Sequence, residues 1–132
     1  MTKLNTNTTS SRRKQRKAHF GATSVERRER MASPLAADLR NMHGVRSMPI
    51  KKGDEVKVIR GKFSKDFKNV DLKVVACYRK KYVVHVEKCT TDKANGQTVF
   101  VGIDASNLCI TKLDMTGSRA NILKRRKITK GD

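Results

Sequence analysis

Hydrophobic and polar positions alternate differently in two parts of this 132-residue chain. From Ile50 onward apolar side chains recur at every second residue, the spacing of strands with one face buried. Ile50 to Arg60 sets Val56 and Val58 against Lys57, launched by a Gly53-Asp54 turn. Val70 to Tyr78 puts Leu72, Val74 and Ala76 on one face and Val75 and Cys77 on the other. Arg79-Lys80-Lys81 leads to a third strand, Tyr82 to Cys89. Ala94-Asn95-Gly96 then marks a hairpin turn, because Asn and Gly accept positive φ. Strands Gln97 to Ile103 and Leu108 to Leu113 follow, joined by Asp104-Ala105-Ser106-Asn107. Short strands in series with no helix between them predict a mainly β domain, a small antiparallel barrel.

Before residue 50 the alternation is missing. Asn5 to Ser11 and the run Arg12-Arg13-Lys14-Gln15-Arg16-Lys17 are polar and low in complexity, so they cannot offset their own ordering entropy. They predict an arm that orders on its partner, and residues 1–32 are expected to be disordered in the free protein. Ser24, followed by Glu26 and Glu29, predicts a helix start. Ser33-Pro34 predicts a second helix running to Arg40, with Ser as cap, Pro in the first turn and Gly44 as the stop. Beyond Leu113 the chain turns polar again, and Arg119 to Lys127 embeds Ile122 and Leu123 in a basic helix. The organisation expected is a basic N-terminal extension with short helices (1–49), a barrel (50–113) and a basic C-terminal tail (114–132).

Charge changes the picture from fold to partner. Lys and Arg number 31 against 12 acids, a formal net charge of +19. The three segments carry +8, +7 and +4, so the excess is not confined to one tail. Repulsion on that scale is relieved by a polyanion, and each phosphate neutralised releases counterions, which makes binding salt-dependent. A surface built only for solubility mixes the signs more evenly.

Little else competes as chemistry. No apolar run reaches the ~18 residues of a membrane helix, and the start lacks a signal-peptide core. Residues 1–24 are acid-free but hold too few apolar side chains, chiefly Leu4 and Phe20, for an amphipathic targeting helix. Cys77, Cys89 and Cys109 form no C-x-x-C pair and read as reduced, half-buried residues. Three scattered histidines make no metal set; no P-loop, H-E-x-x-H or Ser-His-acid arrangement is present, and Gly53-Asp54-Glu55 is accounted for by turn formation. His85, alternating with Val84 and Val86, reads as packing or surface. No enzyme, cofactor or small-molecule substrate is expected.

The run Ile50-Lys51-Lys52-Gly53-Asp54-Glu55-Val56-Lys57-Val58-Ile59-Arg60-Gly61-Lys62 resembles the opening of a KOW motif. Its flanks agree: Ser33-Pro34-Leu35 and Val45-Arg46-Ser47-Met48-Pro49 upstream, then Tyr78-Arg79-Lys80-Lys81-Tyr82-Val83-Val84, Lys93-Ala94-Asn95-Gly96 and Val101-Gly102-Ile103. Together they look like the archaeal and eukaryotic branch of the KOW-type large-subunit ribosomal proteins, called L-twenty-six in eukaryotes and L-twenty-four in bacteria. The resemblance spans roughly residues 12–127. It implies an SH3-like barrel with basic extensions, bound to large-subunit ribosomal RNA beside other ribosomal proteins near the nascent-chain tunnel exit, and a role in subunit assembly. It also implies cytoplasmic ribosomes, with assembly in the nucleus and nucleolus of a eukaryote. The loop from Lys62 is longer than the family pattern and lacks the glycine expected before the second strand. Asn69 or Asp71 stands near that place, and both tolerate the left-handed region.

Candidate RNA contacts follow from charge beside aromatics. Arg12, Arg13, Lys14, Arg16 and Lys17 would neutralise phosphates, with His19 and Phe20 ready to stack on an unpaired base. Arg79, Lys80 and Lys81, flanked by Tyr82, form a cationic hairpin tip. Arg46, Lys51 and Lys52 lie where the linker enters the barrel, Lys62 on the KOW loop, and Arg27, Arg28 and Arg30 on the first predicted helix. The rival class is a KOW module of transcription elongation that binds polymerase and emerging RNA reversibly. Basic extensions on both sides of one barrel favour the ribosome.

Overall fold

A computed structural model describes residues 4–127. The ends of both predicted tails, residues 1–3 and 128–132, lie outside the described residues. Two helices, α1 (Arg12–Phe20) and α2 (Ser24–Arg30), lead into β1 (Ala32–Pro34), α3 (Ala37–His43) and β2 (Ser47–Pro49). The barrel-like region holds β3 (Glu55–Val58), β4 (Leu72–Tyr78), β5 (Val83–Val86), β6 (Thr90–Asp92), β7 (Thr98–Phe100) and β8 (Leu108–Lys112). Helix α4 (Arg119–Arg126) ends the described chain.

The predicted period-two faces bury as expected in β3, where Val56 and Val58 point inward and Glu55 and Lys57 outward. The central sheet is antiparallel in the order β5-β4-β3-β8, with Val56 opposite both Leu72 and Ile110. β6 and β7 form a separate hairpin around the predicted Asn95-Gly96 turn, with Gly96 at φ 85°. The fold is therefore a small antiparallel β-barrel-like structure; among the described residues the four α-helices stand outside the strand series from β3 to β8, which holds only a 3-10 turn at Ala105–Asn107.

β4 departs from simple alternation. Its register against β5 jumps from Val74↔Val86 to Ala76↔His85, a bulge at Val75. A bulge swaps the faces beyond it. Ala76 therefore leaves the inward set predicted for it, Cys77 comes to face the buried Val84, and Tyr78 turns outward to within 4.6 Å of the His85 ring.

One hydrophobic core runs through all three parts of the chain. Val56, Leu72, Val84, Leu108 and Ile110 share it with Met31, Leu35 and Met48 from before residue 50, and with Ile122 and Leu123 of α4. Ser33-Pro34 does not start a helix. β1 pairs with β2, Ser33 Oγ donates to the Ala105 carbonyl at 2.6 Å, and Leu35, 1% exposed, bridges to Ile110. Burying Leu35 on the barrel outweighs the local Ser-Pro capping signal. The helix begins one turn later at Ala37 and stops as predicted at Gly44, whose φ of 66° suits a residue without Cβ. The long loop after Gly61 is anchored by the buried Phe63, with Phe67 beside it, and Asn69 takes the left-handed turn at φ 59°.

Candidate nucleic-acid interface

A groove of about 860 Å³ opens on the barrel where β3 and β4 part company. β3 pairs with β4 at Leu72 and Lys73, and Val74 completes the pairing by donating to the Asp54 carbonyl and accepting from Gly53 N–H. From Val75 to Tyr78 no strand among the described residues lies on that side of β4. The groove runs along this open stretch and is closed on its far side by Pro49–Lys52 and Thr116–Arg119. Seven cations line it: Arg28, Lys51, Lys52, Arg79, Lys80 and Lys81, and Arg119, whose charge is taken up by Asp54. Among the described residues its lining contains no Asp or Glu, so positive charge dominates it.

The far wall is held by a charge pair that local pattern did not reveal. Arg119 reaches into the barrel and makes two 2.7 Å hydrogen bonds to the two carboxylate oxygens of Asp54, both residues being buried. It also donates to the Pro49 carbonyl at 2.8 Å. The same carboxylate accepts from the backbone N–H of Asp114 at 2.9 Å and of Lys51 at 3.1 Å. Full satisfaction of both ions is what makes their burial tolerable. Asp54 is thus more than a turn former. Gly53 beside it has φ 98°, and a Cβ there would meet the Asp114 carboxylate at 2.6 Å. Lys51 Nζ donates to Thr116 Oγ1, tying the two halves of the wall together.

A second clasp seats the N-terminal helices on the hairpin tip. Tyr82 sits at φ 57°, an unusual conformation for a bulky side chain. Its hydroxyl donates to the His19 carbonyl, and its ring stacks on the His19 ring at 4.1 Å. The Arg27 guanidinium lies 4.7 Å from the same ring. Arg27 also donates to the carbonyls of Phe20, Ala22, Arg79 and Lys80 at 2.6–3.2 Å.

The sequence candidates therefore divide. Arg28, Lys51, Lys52, Arg79, Lys80 and Lys81 converge on the groove. Arg12, Arg13, Lys14, Arg16 and Lys17 stay exposed on α1, and Phe20, 57% exposed, has the Arg16 guanidinium 4.8 Å from its ring. The run read as an unordered arm is helical there and joined to the barrel through His19. Arg27, His19 and Tyr82 use their polar groups and rings on one another, which makes them positioning residues rather than free contacts. Arg30 is exposed, 3.5 Å from His19. Arg46 is exposed ahead of β2, and Lys62 lies apart beside a cleft of about 100 Å³, its ammonium 5.6 Å from the Phe63 ring. Residues 116–119 had no local signal as a wall, since their role depends on a partner 65 positions away.

The cysteines are free thiols, with Cys89 buried and Cys77 and Cys109 half-buried. Burial pushes Cys89 up to about 11, and burial, reinforced by the Asp54 charge, raises Cys77. Neither is tuned as a nucleophile. Among the described residues no His, Cys, Asp and Glu gather into a metal-binding group, and no helix is long and apolar enough to cross a membrane.

Fold and site together define a class: a small cationic β-barrel-like protein whose extensions are pinned to the barrel around an acid-free groove. Residues 9–126 match the family model described as ribosomal proteins L26, eukaryotic, and L24p, archaeal. Over 127 residues the chain is 53% identical to the large ribosomal subunit protein uL24 of Dictyostelium discoideum, covering 96% of this chain and 88% of that one. It is 45% identical to uL24 of Caenorhabditis elegans, covering 94% of this chain and 84% of that one. Against uL24 of Schizosaccharomyces pombe the identity is 44%, covering 94% and 95%. The chain belongs to this ribosomal protein family, a structural and non-enzymatic one.

Proposed function

We propose that this chain is built into the large ribosomal subunit and holds ribosomal RNA with its cationic groove and with helix α1. The observation that carries the reading is the convergence of six cations from three separate stretches of chain on a groove whose described lining residues include no acid. The relatives named as large-subunit proteins supply the particle. The groove and the exposed basic face of α1 meet at one hairpin tip, because Arg27 binds the carbonyls of Arg79 and Lys80 and stacks with Tyr82. Phosphates along one RNA strand could then be neutralised by both surfaces in turn. In this reading the protein serves cytoplasmic ribosomes after assembly in the nucleus and nucleolus, close to the nascent-chain tunnel exit and beside other ribosomal proteins. These finer placements rest on the family resemblance.

The test is retention. Large subunits carrying a tagged copy should keep it through washes of roughly half-molar salt, since many phosphate contacts are shielded in the assembled particle. Release under a mild wash, or co-purification with polymerase in place of ribosomal RNA, would overturn the reading.

A further inference from the structure

The groove has features that a plain phosphate-binding surface does not need. Its floor is apolar, formed by Pro49, Ile50, Val75 and the half-buried Cys77, while its cations stand at the rim. Along that floor β4 has no neighbouring strand from Val75 to Tyr78 among the described residues, so main-chain donors and acceptors there have no ladder partner on that side. At one end stands the Tyr78 ring, 42% exposed, with the Lys81 ammonium 5.8 Å from its centroid. A duplex backbone passing over the surface would engage the rim and leave the floor empty.

We infer that the groove receives a single unpaired nucleotide extruded from the bound RNA. Its base would rest on the apolar floor against Tyr78, and its two flanking phosphates would meet the cationic rims. The inference rests on the RNA-binding reading above. An unstacked base matches each part of the site: an apolar face covers its ring, an aromatic ring stacks on it, and open main-chain groups pair with its edge. Charge decides against the other occupant that a free strand edge invites, an added strand from a neutral or basic protein, because Lys51, Lys52, Arg79, Lys80 and Lys81 would repel or ignore it.

The test uses the full chain and two RNA hairpins of identical stem, one carrying a single unpaired nucleotide. The unpaired nucleotide should tighten binding about tenfold, the order of one base stacked on an aromatic side chain. It should also slow alkylation of Cys77, which lies in the groove, without slowing that of Cys109, which does not. Ser118→Trp narrows the groove at an exposed position whose side chain makes no capping bond, and it should erase the preference. Equal binding of the two hairpins with Cys77 equally reactive would overturn the insertion and leave RNA binding standing. Failure to bind either hairpin would instead overturn the RNA-binding reading. Protection of Cys77 by an alternating Glu-Val peptide but not by the bulged hairpin would assign the groove to an acidic protein strand.

Discussion

The two extensions are joined to the barrel by clasps of opposite character. On the C-terminal side the link is Asp54–Arg119, two ions at 0% and 2% exposure, with a bidentate bond and, among the described residues, every buried side-chain polar atom satisfied. Ile122 and Leu123 bury beside it, so α4 is part of the core. On the N-terminal side residues 31–50 belong to the core, but helices α1 and α2 are linked only through His19, stacked on Tyr82 and accepting from its hydroxyl, and through one half-buried arginine that bonds only to carbonyls. Neither α1 nor α2 contributes a buried residue. The stability of each link follows from desolvation: a satisfied buried ion pair is hard to open, whereas water can replace exposed carbonyl partners at little cost. The C-terminal clasp thus fixes the wall of the groove, and the N-terminal clasp holds a basic helix that RNA can reposition.

The strongest way to break this contrast is to remove one buried ion. Arg119→Met leaves the Asp54 carboxylate without its partner and should cost about 3–5 kcal/mol in urea denaturation. A loss no larger than that of a surface arginine would show the clasp to be incidental. Leu35→Ala probes whether the chain before residue 50 belongs to the same cooperative unit, and should cost about 2–5 kcal/mol in one transition. Two separate transitions would contradict a shared core. Arg27→Ala should lower global stability by about 1 kcal/mol. Its larger effect should be faster tryptic cleavage between Arg12 and Arg30, with amide exchange in β3 and β8 unchanged. Coupled loss of protection in those strands would make the N-terminal clasp as structural as the other.

The smallest effect expected is on pH. The Cys89 thiol titrates near 9.0 when unfolded and at about 11 in the fold. The unfolded chain therefore releases this proton first, and the associated stability is complete below pH 9.0 and falls as pH rises toward about 11. Cys89→Ala should flatten that part of the stability curve relative to the parent, and parallel curves would remove the thiol from the account.

What could be read from sequence was local and periodic. Strands β3, β4, β5, β7 and β8, the Gly44 stop, the Asn95-Gly96 turn and a left-handed position at Asn69 or Asp71 each carry their signal within a few residues, whereas β6, Thr90–Asp92, was not foreseen. The misread positions depend on distant partners. Ser33-Pro34 looks like a helix start until Leu35 is placed against Ile110, and Asp54 looks like a turn residue until Arg119 arrives. The bulge at Val75 has no proline or glycine to mark it, yet it turns Tyr78 outward. Candidate cations were legible by charge alone, but charge cannot separate Arg27, whose donors are used internally, from Arg28 one residue on, which lines the groove.

That separation gives the most direct measurement of the central claim. Affinity for large-subunit ribosomal RNA should be followed against salt for two fourfold alanine variants. One replaces Lys52, Arg79, Lys80 and Lys81 at the groove, and the other replaces Lys73, Lys88, Lys93 and Lys112, exposed elsewhere on the barrel. With each phosphate contact contributing about 0.7–0.9 to the slope of log affinity on log salt, the groove variant should lose about 3 and the other close to none. Equal losses from both would mean that the whole cationic surface binds RNA without a site, and would contradict the account.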